Sequence, residues 1–386
     1  MAVALVNGRV LSDDGLLDGK CVLLDKGRIV DLVAESDPRC QAAQRYDLRG
    51  QLLLPGFIDS QVNGGGGVLF NDAPSVETIR TIGQAHRKFG TTGFLPTLIS
   101  ADLDVVARAI AAVQGAIQAG VPGVLGIHIE GPFLNVVRKG VHDPAKLREL
   151  DTSAVGLLTS LRGGKTLVTL APEMTTPEII GKLGKAGVVV SAGHTNATYA
   201  EIGIALRHGL TGFTHLFNAM SQLTGREPGV VGAALDDQKS WCGIIVDGEH
   251  TDPVVLRIAL RCKPHSRFML VTDAMPSVGT SQTSFDLQGR KITVSGTVCV
   301  DEDGRLAGSN IDMASCVRNA VKMLHLPLPE AVHMASRFPA EFLGLAHETG
   351  RIRAGYRANL VLADEELNVL ETWVDGRTST EDSVGA

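Results

Sequence analysis

The stretch Val124-Leu125-Gly126-Ile127-His128-Ile129-Glu130 decides how this chain is read. It is a short apolar run that closes on a carboxylate, and the same design recurs along the sequence. Runs that read as buried parallel strands are Leu52 to Ile58, Thr92 to Pro96, Val124 to Ile129, Thr166 to Leu170, Val188 to Ser191, Gly212 to Thr214, Cys242 to Val246 and Phe268 to Thr272. Between them, helical spacing is visible in Val76 to Phe89, Leu103 to Gln118, Pro177 to Ala186, Ala197 to Arg207 and Pro253 to Cys262. Eight such strands alternating with helices predict an α/β chain closed into a (β/α)8 TIM barrel.

The ends of the chain have a different texture. Val22-Leu23-Leu24 and Arg28-Ile29-Val30-Asp31-Leu32-Val33 flank the turn Asp25-Lys26-Gly27, while Asn359-Leu360-Val361-Leu362 and Thr372-Trp373-Val374 precede the hairpin dipeptide Asp375-Gly376. Neither end can bury a core alone, so the two are predicted to pair into one small β-sandwich. The expected division is 1–50 for the first part of the sandwich, 51–345 for the barrel and 346–386 for the second part. A length of 386 residues fits one large unit plus a smaller one.

Composition removes several function classes. A net charge of -6 gives no basic surface for nucleic acid, so an anionic substrate must be held by a few local cations. Cys21, Cys40, Cys242, Cys262, Cys299 and Cys316 form no CxxC pair, which points to a reducing cytoplasm. The opening Met1-Ala2-Val3-Ala4-Leu5-Val6-Asn7-Gly8-Arg9 shows no signal peptide, and no apolar segment approaches a membrane span.

Chemistry in a barrel gathers where the strands end. Asp59, Glu130, His194, His215, His250 and Asp273 all fall there. Two histidines and one carboxylate, with a position left for water, make a familiar catalytic zinc arrangement, so Glu130, His194 and His215 are the expected ligands of one divalent ion. Zinc leads, and iron, manganese or cobalt suit the same donors. Singly, each histidine reads as a polar strand-end residue satisfied by backbone; jointly they read as a metal site. His128 shares a strand and a face with Glu130 and is expected behind the ligands rather than among them. His86, His208, His265, His325, His333 and His347 stand without accompanying motif residues and read as surface or packing histidines.

Asp273 is the expected proton shuttle. A divalent ion lowers the pKa of water to roughly 7, and a nearby carboxylate can take that proton and return it to a leaving amine. The alternative for Asp273 is a helix cap. Gly64-Gly65-Gly66-Gly67 reads as a turn and not as a phosphate cradle, since no Lys-Ser or Lys-Thr helix start follows.

A family resemblance rests on Pro55-Gly56-Phe57-Ile58-Asp59, Gln61-Val62-Asn63-Gly64, His128-Ile129-Glu130-Gly131-Pro132-Phe133, Lys139-Gly140-Val141-His142, Gly193-His194-Thr195-Asn196-Ala197-Thr198, Thr214-His215-Leu216-Phe217-Asn218-Ala219-Met220, Arg226-Glu227-Pro228-Gly229, Asp247-Gly248-Glu249-His250 and Thr272-Asp273-Ala274. In these stretches, which span nearly the whole chain, it resembles the amidohydrolase superfamily and, within it, the N-acetylglucosamine-6-phosphate deacetylases. Many superfamily members carry His-x-His after the first barrel strand. Asp59-Ser60-Gln61 stands there instead, which implies a single ion, with Gln61 assisting through a water and Asp59 orienting the loop.

The resemblance further implies hydrolysis of the acetamide of N-acetylglucosamine 6-phosphate. The phosphate would be gripped by Asn218, the backbone of Ala219, Arg226 and His250, with Arg226 and His250 reaching in from the second subunit of a homodimer. Val141 and His142 would line the sugar, His142 would polarise the acetyl oxygen, and Leu306-Ala307-Gly308 would form a substrate-lining loop. Met275-Pro276 would belong to a lid-like loop, and Lys139 reads as a solvated loop charge. Three other readings are weighed: a deacetylase for the galactosamine epimer, a cyclic-amide hydrolase, disfavoured by the missing His-x-His, and a catalytically silent barrel used for assembly.

Overall fold

A computed structural model of the chain describes residues 2–379; Met1 and the last seven residues of the expected C-terminal segment, 380–386, lie outside the described residues. Eight strands, Phe57–Val62, Thr91–Ile99, Gly126–Glu130, Lys165–Leu170, Val189–Ala192, Leu210–Phe213, Trp241–Ile244 and Phe268–Leu270, pair in chain order as one parallel sheet. The ring closes where Val62 bridges Ala274 and the Asp273 amide donates to the Gln61 carbonyl at 3.0 Å. The expected barrel is therefore present.

Local chemistry explains the alternation. Helix Leu103–Gln118 buries Val106, Ala109, Ile110, Val113 and Ala116, a single stripe at helical spacing. Each fully buried Val or Ile in such a stripe is worth about 1.5–3 kcal/mol, which fastens the helix to the sheet. Helix Tyr199–Arg207 starts at a capping box in which Thr198 accepts from the Glu201 amide and Glu201 reaches back to the Thr198 amide. Gly126 must be glycine because a Cβ there would stand 1.9 Å from the Lys165 carbonyl oxygen on the neighbouring strand.

The terminal sandwich is also present, with one correction. One sheet runs in the order Arg28–Ala34, Lys20–Asp25, Val3–Val6, Gln44–Asp47, and the other in the order Val369–Trp373, Leu360–Ala363, Leu52–Pro55, Arg9–Ser12, Gly15–Leu17. The run expected as one barrel strand, Leu52 to Ile58, thus splits at Gly56. Leu52–Pro55 pairs with both chain ends and only Phe57–Val62 enters the barrel. Both faces of Leu52–Pro55 are covered: Leu53 joins the sandwich core with Leu5, Ile29 and Trp373, while Leu52 and Leu54 join the main core. A strand buried on both faces loses its alternation, so its sequence imitates a barrel strand.

After the eighth strand comes an antiparallel sheet absent from the sequence reading, Ser284–Leu287, Arg290–Ser295, Val298–Val300 and Leu306–Ser309. Leu306-Ala307-Gly308 is therefore strand rather than loop. Met275 is not part of a free lid, since its amide donates to Ser309 and its side chain is buried. Among the described residues, no helix is long and apolar enough to cross a membrane.

Candidate metal and acid–base site

The strand ends deliver their side chains to one place. Glu130 closes its strand, while His194 and His215 each stand two residues beyond theirs. The Nε2 atoms of His194 and His215 lie 3.1 and 3.0 Å from Glu130 Oε1 and 3.1 Å from each other. In a tetrahedral shell with bonds of 2.0–2.1 Å, neighbouring ligand atoms stand about 3.3–3.4 Å apart, so this triangle fits one divalent ion with little adjustment. The tautomer fits as well: His194 Nδ1 donates to the Arg138 carbonyl at 2.9 Å, leaving the Nε2 lone pair turned to the triangle. Burial opposes the charge on Glu130, but the two imidazoles outweigh it and hold the carboxyl well below its usual range.

Asp273 stands beside this triangle and caps none of the helices among the described residues. Its Oδ1 accepts from Asn63 Nδ2 at 2.6 Å and from Gln61 Nε2 at 3.0 Å. Burial, then the charge of Glu130, pushes its carboxyl up to about 6. Gln61 Nε2 also lies 3.3 and 3.4 Å from the two Glu130 oxygens, so its contact with the site is direct. Asp59, which burial raises to about 7, accepts from the Thr272 amide and hydroxyl and so holds the residue next to Asp273.

His142 is buried against the triangle, its ring 4.4 Å from that of His194. The Ser100 amide donates to His142 Nδ1 at 3.3 Å, which leaves the ring proton on Nε2. Burial and the neighbouring His194 push its pKa down to about 3, keeping the ring neutral. His250 is fixed by Asp247, whose Oδ2 lies 2.5 Å from His250 Nδ1. His128 lies behind the ligands in a chain of buried hydrogen bonds, Nε2 to Thr169 Oγ1 at 2.7 Å and Thr169 to Thr214 at 2.6 Å.

One cavity of about 320 Å3 is lined by Glu130, Val141, His142, His194, His215, Asn218, Ala219, His250, Asp273, Leu306 and Gly308. Two expected residues are not on its wall. Ala307 packs with Leu69, Ile99, Met275, Leu287 and Ile292, and Arg226 is exposed on the loop before Gly229–Asp236. Arg138 and Arg305 do line the cavity and were missed, although each directly precedes a motif residue, Lys139 and Leu306. His86, read as a surface or packing residue, is fully buried and contacts the Gly64 carbonyl at 2.9 Å, beneath the loop that carries Asn63.

Residues 52–379 match the amidohydrolase family. The chain belongs to that family. It is 44% identical over 369 residues to an N-acetylgalactosamine-6-phosphate deacetylase of Shewanella sp. (strain ANA-3), covering 95% of this chain and 93% of that one. It is 36% identical over 380 residues to an N-acetylglucosamine-6-phosphate deacetylase of Haemophilus influenzae, covering 98% and 99%. The crystal structure of the N-acetylglucosamine-6-phosphate deacetylase from Pasteurella multocida superposes with a TM-score of 0.94 at 36% identity, covering 98% and 99% of the two chains. A mutant of the Mycobacterium smegmatis enzyme in complex with N-acetyl-D-glucosamine-6-phosphate superposes with a TM-score of 0.89 at 32% identity, with the same coverage.

Proposed function

We propose that this cavity hydrolyses the acetamide of N-acetylglucosamine 6-phosphate, releasing glucosamine 6-phosphate and acetate. The observation that carries it is the sharing of one wall by the Glu130, His194 and His215 triangle and a carboxylate, Asp273, raised to about 6. When bound by those three residues, one divalent ion, zinc by its donor set and iron, manganese or cobalt by the same donors, supplies Lewis acidity and lowers the pKa of water to roughly 7. Asp273 takes the proton of the attacking water and gives it to the departing nitrogen. The Nε2–H of neutral His142 faces the acetyl oxygen as charge develops there.

Asn218, the Ala219 backbone and His250 hold the phosphate, with Val141, Leu306 and Gly308 against the sugar and Ala307 supporting them. Arg226 completes the grip from the second subunit of a homodimer, which accounts for its absence from the wall of its own cavity, whereas His250 lines its own cavity and serves it directly. An arginine fork suits phosphate oxygens. The six free cysteines support a reducing cytoplasmic setting. Residues 51–345 are taken as the catalytic unit, with 1–50 and 346–386, of which Met1 and 380–386 lie outside the described residues, as its sandwich, apart from Leu52–Pro55, which pairs with the sandwich.

A second reading is favoured by the 44% identity with the Shewanella enzyme, namely that the galactosamine epimer is the substrate. Rates of the metal-loaded enzyme on both sugar phosphates, measured side by side, test the choice. We expect the gluco epimer to be turned over at least about tenfold more efficiently, a difference of 1.4 kcal/mol. The reverse order replaces the substrate but keeps the chemistry, and turnover of neither refutes the proposal.

A further inference from the structure

We propose that Asn63 is a positioning residue that, together with Gln61, confines the transferable proton of Asp273 to Oδ2. The inference rests on Asp273 being the proton shuttle. Both side-chain amides aim N–H groups at the same oxygen: Asn63 Nδ2 at 2.6 Å and Gln61 Nε2 at 3.0 Å from Asp273 Oδ1. An amide nitrogen donates and does not accept, so a proton on Oδ1 would face two donors with nowhere to point. Among the described residues no protein donor reaches Oδ2, and Asp273 lines the cavity. The proton taken from water is therefore carried on Oδ2 and leaves from Oδ2 to the nitrogen.

The setting of Asn63 supports this role independently. The residue is fully buried, and its backbone is fastened on both sides, its amide donating to the Ala274 carbonyl at 2.9 Å and its carbonyl accepting from Phe70 at 2.9 Å. Among the described residues its Oδ1 is buried without a protein partner. Such an oxygen is a standing cost that a leucine of similar size would avoid. Turning the amide over would set oxygen against Asp273 Oδ1, so only the donor orientation is compatible with the carboxylate. The unpaired oxygen is thus the consequence of keeping a donor on Asp273, beside a carboxylate whose free oxygen must stay aimed at the substrate.

The experiment compares Asn63→Leu and Asn63→Asp with the parent and with Asp273→Asn, all metal-loaded, reading kcat, KM, metal content and melting temperature. Asn63→Leu removes the donor and Asn63→Asp replaces it by an acceptor in the same volume. We expect kcat to fall about tenfold or more in the first and further in the second, with KM within about threefold and metal content unchanged, since positioning acts on the transition state. Unchanged kcat in both variants overturns the inference, as does a parallel loss of metal, KM and kcat in both. Should Asn63→Asp fail to fold, Asn63→Leu alone decides. Retained turnover in Asp273→Asn overturns the shuttle reading itself, whereas an inactive Asp273→Asn beside fully active Asn63 variants overturns this inference alone.

Discussion

Replacing Asp273 by Asn removes the proton acceptor and little else. Asparagine has the same shape, tolerates the left-handed backbone found there (φ 53), and can turn its carbonyl oxygen toward Asn63 and Gln61. An NH2 group then stands where the basic oxygen stood. Loss of a positioned acid/base costs about 10²–10⁴ in turnover, or roughly 2.7–5.4 kcal/mol of barrier. Stability should move the other way. Burial and Glu130 raise the carboxyl from 3.8 to about 6, so in the metal-free protein the folded state holds a proton that the unfolded chain has released. That contribution is full below about pH 4 and is lost as pH rises to about 6, a span worth roughly 3 kcal/mol. The metal-free variant, lacking this loss, should melt about 4 °C above the metal-free parent at pH 7, taking an unfolding entropy of about 0.8 kcal/mol/K for this length. Steady-state kinetics with quantified metal, together with melting of the metal-free proteins from pH 4 to 8, check both halves. Turnover within tenfold of the parent at equal metal content would refute the assignment.

Stripping the ion with a chelator should abolish turnover and lower the melting temperature by about 5 °C relative to protein held at a thousandfold excess over Kd, a linkage of about 4.1 kcal/mol; re-addition of zinc should restore both. Arg226→Ala should raise KM with little effect on kcat, and at substrate well below the parent KM, where Arg226→Ala and Asp273→Asn are each nearly silent, mixing and reannealing the two should recover about a quarter of parent activity if Arg226 serves the partner's site, because half the dimers carry one complete site. Gly308→Ala should cost about 1–2 kcal/mol and reduce kcat: Gly308 has φ 73, and its Cβ would stand 2.8 Å from the Asp273 carbonyl oxygen. Chemical denaturation and kinetics on that variant measure the two effects.

The chemistry was legible because each key side chain sits at the end of an apolar run, and barrel closure turns eight separate run ends into one rim. What lay between the runs was harder to read. Helix Gly229–Asp236 is buried all round, so it offers no amphipathic stripe to detect. The inserted sheet had a visible signal that was passed over: Lys291-Ile292-Thr293-Val294-Ser295 alternates, and Gln288-Gly289, with φ 50 and 79, forms the turn before it. Gln61 was legible as a departure from His-x-His but not as a donor to two carboxylates, since that role depends on Glu130 and Asp273 arriving from strands 69 and 212 residues away.

His194, His215 and Asp273 share a property that no residue pattern announces. Their φ angles are 49, 33 and 53, the left-handed region that costs an ordinary side chain about 1–2 kcal/mol and in which Asp and His are enriched among residues other than glycine. A strand that simply continued would send alternate side chains to opposite faces, and these residues would leave the rim. The left-handed turn bends the chain sharply just past the strand, and neighbouring bonds hold it there: the Asp273 amide on the Gln61 carbonyl, the Asn135 amide on the His194 carbonyl, and the Asn218 amide on the His215 carbonyl. Three separate loops accept the same backbone turn, and its common result is convergence of one carboxylate and two imidazoles on Glu130 of a fourth strand. Local preference is overruled where the site is built, which is where strained backbone is most informative about function.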